Sequence, residues 1–220
     1  MKRSYFVFCA LLIAGCLAAT AIAWRWLPET VATHWNAHGQ VDGYSPRSSL
    51  FFIAPGIMLG FVALFAVLPW LSPRRFDVRT FEPTYLYVLV LLVTLMGYVH
   101  ALLLWNALKG GIDTVSVMLG GVSLFLMAMG NVLGKVRRNF YIGIRTPWTL
   151  ASERVWYATH RLGAKTFVAG GIVGLVIAFA GLPVWTWITV ILVSAALPLV
   201  YSLVLYKRLE KSGELGGETA

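Results

Sequence analysis

Residues 83–108 read PTYLYVLVLLVTLMGYVHALLLWNAL, a run of 26 residues without a charged side chain. An α-helix crosses the roughly 30 Å hydrocarbon core of a bilayer with about 20 residues, so this segment is long enough to span a membrane. Four further charge-free tracts cover residues 4–24, 48–72, 114–134 and 166–206. The last is long enough for two spans, with a turn near Gly181 and Pro183. The sequence therefore predicts an all-α bundle of six transmembrane helices.

The composition excludes an ordinary soluble domain, because 59% of the 220 residues are hydrophobic, only 12% are charged and the mean hydropathy is +0.76. A transporter or channel is disfavoured, because acidic and basic side chains are absent from the tracts. His100 lies in the third tract, and we expect it to be neutral and hydrogen-bonded inside the bundle. Glycine pairs at 130/134 and 170/174 have the spacing that lets helices approach closely in lipid.

The basic residues predict the orientation, because short loops rich in Lys and Arg stay in the cytoplasm. Six spans place 15 of the 18 basic residues on one side, and only Arg25, Arg47 and Lys109 on the other. Both termini are therefore predicted to be cytoplasmic. The net charge of +9 follows from this bias and from anionic lipids of the inner leaflet, so it implies no direct contact with nucleic acid.

Cys9 and Cys16 lie seven residues apart in the first tract, too far along a helix for a disulfide. The letters IAGC, which end at Cys16, resemble a bacterial lipoprotein cleavage site. The apolar sequence continues beyond Cys16, which favours a first span that is retained.

Two loops are long, and they divide the chain. The predicted segments are 1–72, with spans one and two and an extracytoplasmic loop at 25–47; 73–134, with spans three and four; 135–165, a cytoplasmic loop; 166–207, with spans five and six; and 208–220, a flexible cytoplasmic tail.

The outer loop contains turn signals at Asn36–Gly39 and Asp42–Gly43. His34 and His38 would share a face if they lay on a helical turn, and Asp42 or Glu29 could supply a third zinc ligand. No Glu adjoins either His as in a catalytic His-Glu-x-x-His helix. The alternative is a compact loop in which His34 and Trp35 pack on the membrane face.

The inner loop predicts an amphipathic helix after Thr149, with Pro147 near its start and Gly163 near its end. Its aromatic side would lie at the level of the lipid headgroups, with Arg154, Arg161 and Lys165 toward water. Glu153 and His160 lie two turns apart on its flank, where an acid/base pair competes with a solvated ion pair or a partner-binding edge. Arg145 is placed to bind loop carbonyls, an acidic partner or a lipid phosphate.

The stretch GKVRRNFYIGIRTPWTLASERVWYATHRLGAK, residues 134–165, resembles the signature of the SdpI family of bacterial membrane proteins. LPETVATHWNAHGQVDGYSP, residues 27–46, is similar to a small domain of unknown function that precedes it in many members. Matching positions in the inner loop are Asn139, Gly143, Arg145, Thr146, Pro147, Trp148, Thr149, Trp156 and His160. Matching positions in the outer loop are Pro28, His34, Asn36, Gly39 and Asp42. His38 is not part of this pattern, which weakens the zinc hypothesis.

The resemblance implies an immunity protein of the cell membrane that acts without catalysis and without a cofactor. Such a protein would meet a secreted toxin outside and hold a winged-helix transcriptional repressor at the membrane from inside. The competing hypothesis is a zinc-dependent, protease-like membrane enzyme, with His34, His38 and Asp42 as ligands outside or with His160 and Glu153 acting inside.

Overall fold

A computed structural model describes residues 2–36 and 38–215, apart from the side chain of Arg75. Within them, six helices are long and apolar enough to cross a membrane, which confirms the predicted bundle. The helices are α1 (Lys2–Ala23), α2 (Ile53–Leu71), α3 (Glu82–Leu108), α4 (Thr114–Leu133), α5 (Pro147–Ala151), α6 (Glu153–Phe179) and α7 (Val184–Lys211). Short 3-10 turns lie at Trp24–Trp26, Arg47–Phe51, Arg74–Phe76 and Val78–Phe81.

The helices form two groups of three, in which α1, α2 and α3 pack together, as do α4, α6 and α7. The main connection between the groups is the contact of α3 with α4. Met58, Tyr85 and Leu89 lie in a core that continues into the inner loop through Val136 and Trp156. The inner loop is therefore packed into the bundle.

Glycines allow α6 to pack closely against α4 and α7, as the spacing of the glycine pairs predicted. A Cβ added to Gly130 would lie 2.8 Å from the carbonyl oxygen of Ala164, and one added to Gly174 would lie 2.9 Å from Ser123 Oγ. A Cβ on Gly170 would collide with the Ser194 hydroxyl. Gly134 differs, because a Cβ there meets nothing closer than 4.0 Å. Three of the four predicted positions are therefore sites of close packing.

The outer loop folds into an antiparallel hairpin of β1 (Thr30–Trp35) and β2 (Val41–Pro46). The sequence did not predict this hairpin, because its strands lack a clear apolar alternation. The turn signal at its tip is confirmed: the Asn36 carboxamide oxygen accepts from the backbone N–H groups of His38 and Gln40, and Gly39 adopts a φ of +78°. At its base, Arg47 donates to the carbonyls of Trp24 and Leu27.

Two predictions about the first half of the bundle are confirmed, namely a hydrogen-bonded His100 inside it and the absence of a disulfide between Cys9 and Cys16. His100 is 2% exposed, and its Nε2 lies 3.0 Å from both Thr20 Oγ1 and the carbonyl oxygen of Cys16. Cys9 and Cys16 are buried free thiols on α1.

The predicted interfacial helix from Thr149 to Gly163 is wrong in its limits and its setting. The helix that starts at Pro147 ends at Ala151, and a new helix begins at Glu153 and continues to Phe179. Ser152 separates them, because it is extended and its hydroxyl caps the second helix at the N–H of Val155. Helix α6 therefore crosses the predicted boundary at 165/166, and its aromatic side contacts protein.

The predicted tail at 208–220 starts as helix, because α7 extends to Lys211. Residues 216–220 lie outside the described residues.

Candidate binding surfaces at the two ends of the bundle

Asn139 organises the start of the inner loop from a fully buried position. Its carboxamide nitrogen donates to the carbonyls of Arg137 and Ile142 at 2.8 and 3.0 Å. Its carboxamide oxygen accepts from the N–H groups of Tyr141 and Ile142 at 2.7 and 2.8 Å. One side chain thus satisfies four backbone groups of a tight turn, so Asn139 determines the shape of the loop and is inaccessible to a partner.

Trp156 and His160 form a second buried unit one helical turn apart on α6. Their rings stack with centroids 4.1 Å apart, and both side chains are fully buried. The Trp156 indole N–H donates to the carbonyl of Val136 at 2.8 Å. The backbone N–H of Ile144 donates to His160 Nε2 at 3.0 Å, so the proton lies on Nδ1, which donates to the carbonyl of Trp156 at 2.7 Å. His160 is therefore a neutral ring that joins α6 to the loop.

Gly143 makes the contact between the loop and His160 sterically feasible. Its φ is +111°, a conformation that side-chain-bearing residues rarely adopt. A Cβ at this position would also collide with His160 Nε2. Gly143 is thus required both by its backbone conformation and by the nearby imidazole.

Thr146 and Thr149 form a reciprocal capping box at the start of α5. The Thr149 hydroxyl lies 2.9 Å from the N–H of Thr146 and donates to the carbonyl of Ile144 at 2.8 Å. Thr146 Oγ1 also lies 3.2 Å from the Ser202 hydroxyl of α7. The two threonines therefore fix α5 against the last span.

Burial divides the nine predicted partner-binding residues of the inner loop. Asn139, Thr146, Thr149, Trp156 and His160 are buried, and Gly143 touches His160. Arg145 and Pro147 are exposed, and Trp148 is half-buried. Arg145 donates to the carbonyl of Phe140, which confirms that it binds a loop carbonyl. Only the exposed part of the predicted set is open to a partner.

The proposed acid/base pair of Glu153 and His160 does not form. Glu153 Oε1 lies 3.6 Å from Arg138, whereas both nitrogens of His160 are bonded to the backbone. Seven residues of helix separate the two by about 10 Å along the axis. The inner acid/base hypothesis is therefore wrong.

Three further residues, which the sequence did not single out, support the inner loop. Arg138, whose side chain is 9% exposed, donates to the carbonyl of Leu150 and lies over the ring of Phe76. Phe76 contacts Phe140 with ring centroids 4.3 Å apart. Ser202 could have been identified as a hydroxyl within an apolar span, but no local pattern singles out Arg138 or Phe76.

The outer loop brings together two of its predicted site residues. His34 Nδ1 lies 2.5 Å from Asp42 Oδ1 across the hairpin, where both side chains are substantially exposed. Gly39 and Asn36 form the tip described above, and Pro28 lies exposed before β1.

The helical turn that would place His34 and His38 on one face does not form, because His34 lies in a strand. In the described part of the chain, no three His, Cys, Asp or Glu side chains are arranged to hold a metal ion. Zinc binding stays a prediction, of whose three ligands only His34 and Asp42 are in contact.

A cavity of about 360 Å³ lies between the hairpin and the neighbouring helix ends. Thr33, His34, Trp35 and Asn36 line it on the hairpin side, and its bundle side is mainly apolar, with Val99, Leu103, Val115 and Met118 among the lining residues. This cavity combines an apolar floor with a polar rim, as ligand pockets commonly do.

Ion pairs connect the basic clusters at the opposite end of the bundle. Lys2 lies 3.0 Å from Glu82, so the first residues of α1 and α3 lie side by side. Arg154 pairs with Glu214, which brings the segment after α7 to the start of α6. The Arg154 guanidinium, together with the Ser212 hydroxyl, lowers the pKa of Glu214 below its usual value.

Two regions of the chain match known protein families. Residues 135–204 match the SdpI/YfhL protein family, and residues 11–59 match a domain of unknown function, DUF1648. The chain is 28% identical over 170 residues to the immunity protein SdpI of Bacillus subtilis (strain 168), which covers 76% of this chain and 79% of that protein. The chain is thus similar to the SdpI/YfhL family in residues 135–204 and to the immunity protein SdpI along most of its length.

This similarity agrees with the six long apolar helices, and the chain is a multi-pass protein of the bacterial cell membrane. The SdpI/YfhL region contains the inner loop, α6 and most of α7, whereas the DUF1648 region contains the hairpin. The two regions therefore lie in different groups of three helices. No solved structure matches the chain.

Proposed function

We propose that this protein confers immunity to a secreted peptide or protein toxin and sequesters a winged-helix repressor at the membrane. The observation that carries the proposal is the similarity to the immunity protein SdpI along 79% of that protein. This similarity is too long to come from one shared loop. The proposed function involves no catalysis and no cofactor.

The proposal includes an orientation with both termini in the cytoplasm. The ion pairs Lys2–Glu82 and Arg154–Glu214 gather the basic clusters at one end of the bundle. Short basic segments are retained on the cytoplasmic side. The hairpin, at the other end, then faces the medium from which a secreted toxin arrives.

The toxin would meet the hairpin and the cavity beneath it. Trp35 and Asn36 line the cavity from the hairpin, and the apolar floor could take an apolar side chain of the toxin. His34, which also lines the cavity, and Asp42 have exposed side chains on the same hairpin. The repressor would meet Arg145, Pro147 and Trp148, the predicted partner-binding residues that are accessible at the inner end.

Toxin binding can influence the inner surface only if it favours one of two arrangements of the bundle, because a ligand shifts an equilibrium by its differential affinity. The contact between α3 and α4 is the main link between the group that carries the hairpin and the group that carries the inner loop. That contact includes the hydrogen bond from the Tyr98 hydroxyl to the carbonyl of Val117.

Immunity is tested by expressing the protein in a toxin-sensitive bacterial strain and measuring survival in the medium of a toxin-producing strain. We expect survival to rise with the wild-type protein, and to fall back with a variant that lacks the hairpin but reaches the membrane at the same level. Unchanged killing with wild-type protein in the membrane would contradict the proposal.

Repressor sequestration is tested with a winged-helix repressor encoded by a gene adjacent to that of this protein. The measurement is the fraction of this repressor that sediments with membranes in the presence of toxin. We expect Arg145→Ala and Trp148→Ala to reduce this fraction while the protein level stays constant. Arg137→Ala is the matched control, because it removes an exposed cation of the same loop. Equal recruitment by all three variants would remove Arg145 and Trp148 from the mechanism.

A further inference from the structure

A groove runs along the outside of the contact between α4 and α6, next to the inner loop. It consists of two adjoining cavities of about 490 and 480 Å³, which share Ala164 and Lys165 as lining residues. The cavity nearer the loop is lined by Gly134, Ala158, Arg161 and Tyr201, among others. The cavity nearer the middle of the span is lined by Gly130, Asn131, Val168, Ala169 and Ile172. Small side chains at Gly130, Gly134 and Ala164 leave the groove open.

Two cations line the loop end of this groove. Arg161 and Lys165 lie four residues apart on α6, so their side chains project from the same face. Neither side chain has an ion-pair or hydrogen-bond partner within residues 2–36 and 38–215. The adjacent carbonyl end of α4 contributes only about half a negative charge, so the site keeps a clear positive charge.

The depth of the two cations matches the headgroup boundary of a bilayer. Counting back from Phe179, the opposite end of α6, Arg161 lies about 27 Å and Lys165 about 21 Å along the helix. The hydrocarbon core is about 30 Å thick. With Phe179 at the far edge of the core, Arg161 lies only about 3 Å inside the near edge, so its long side chain reaches the lipid phosphates. Lys165 can extend its stem along the groove toward the same level.

We propose that this groove binds one anionic phospholipid, with its phosphate between Arg161 and Lys165 and an acyl chain along the cavity between α4 and α6. A phospholipid fits both parts, because the cations lie at phosphate depth and the lining below them is mostly apolar. A zwitterionic lipid is disfavoured, because its head also brings an ammonium group close to two uncompensated cations. The Tyr201 side chain, on α7, borders the phosphate end of the groove.

The test is native mass spectrometry of the full-length protein in detergent with equal amounts of phosphatidylglycerol and phosphatidylcholine. Each basic residue near an anionic surface contributes a factor of about five to partitioning, so the two together predict a preference for phosphatidylglycerol of about 25-fold. We expect the double variant R161Q/K165Q to reduce this preference to near one. Both side chains are exposed, so the variant is expected to fold.

Two controls separate a built site from general surface charge. R208Q/K211Q removes two exposed cations of α7 at the same end of the bundle and should keep the preference. A169W keeps both groove cations but fills the acyl part, and it should reduce the retention of phosphatidylglycerol. An excess of inorganic phosphate should not displace the lipid.

Any one of three results would overturn the site. The first is a wild-type protein that retains both lipids equally. The second is an equal loss of preference in R208Q/K211Q and R161Q/K165Q, which would show that the preference comes from diffuse charge. The third is displacement of the lipid by inorganic phosphate, which would show a free-anion site.

Discussion

Replacing Gly143 with alanine should destabilise the protein by about 4 kcal/mol, because two costs combine at this position. The φ of +111° is strained for a residue with a side chain, which costs about 1–3 kcal/mol. The new Cβ would also collide with His160 Nε2. The imidazole must then move away from the N–H of Ile144, and an unsatisfied buried donor costs about 1–3 kcal/mol.

Two further glycines separate these costs. Gly181 also has a left-handed φ, of +68°, but a Cβ there meets no atom within 4 Å, so Gly181→Ala should cost about 1–2 kcal/mol. Gly134 has a φ of −68° and open space nearby, so Gly134→Ala should be neutral or stabilising by up to about 1 kcal/mol.

The measurement is reversible unfolding of the three variants in mixed detergent micelles, followed by circular dichroism as the fraction of denaturing detergent rises. The expected order of destabilisation is Gly143→Ala, then Gly181→Ala, then Gly134→Ala. If Gly143→Ala loses no more stability than Gly181→Ala, the contact with His160 does not constrain the loop and the reasoning fails.

Two more predictions concern the membrane helices. Gly130→Val should destabilise the contact of α4 with α6 by about 1–3 kcal/mol, because a Cβ there meets the carbonyl of Ala164 at 2.8 Å. Gly15→Val, on an open face of α1, is the control in the same unfolding assay. Equal losses of stability in the two variants would contradict the close packing at Gly130. Asp113 accepts hydrogen bonds from Ser116 at the start of α4, which lowers the pKa of this carboxyl. Its stabilising contribution is therefore complete above its ordinary pKa of about 4 and is lost as the pH falls through the lower pKa of the folded state. Asp113→Asn should remove this acid-dependent loss, and parallel pH profiles for variant and wild type would refute the assignment.

The spans could be predicted because membrane insertion depends on a local property, the length of an apolar tract. The tract at 83–108 corresponds to α3 almost residue for residue. The start of the fifth span could not be predicted from charge, because Glu153, Arg154, Arg161 and Lys165 occupy the first half of α6. Their charges face outward, while Val155, Trp156 and Thr159 on the opposite face are buried by the loop and its neighbours.

The arrangement of the inner loop could be predicted only in part. The sequence marks Asn139, Trp156 and His160, but their burial depends on contacts with Val136, Ile142 and Ile144 that only the folded loop creates. The bond between Thr146 and Ser202 joins positions 56 residues apart, which no local pattern contains. The hairpin was not predicted, because its strands show little alternation of apolar and polar residues. They are stabilised by pairing with each other and by packing on the bundle.

The inner loop is held mainly by side chains that bond to backbone groups. Asn139 bonds to four backbone groups, and His160 bonds to two. Backbone groups are the same whatever side chains neighbouring positions carry. An exposed position such as Arg137, which contributes only its carbonyl to these bonds, can therefore mutate without altering the loop's course. Natural selection can change the surface that this end of the protein presents while the backbone beneath it stays the same.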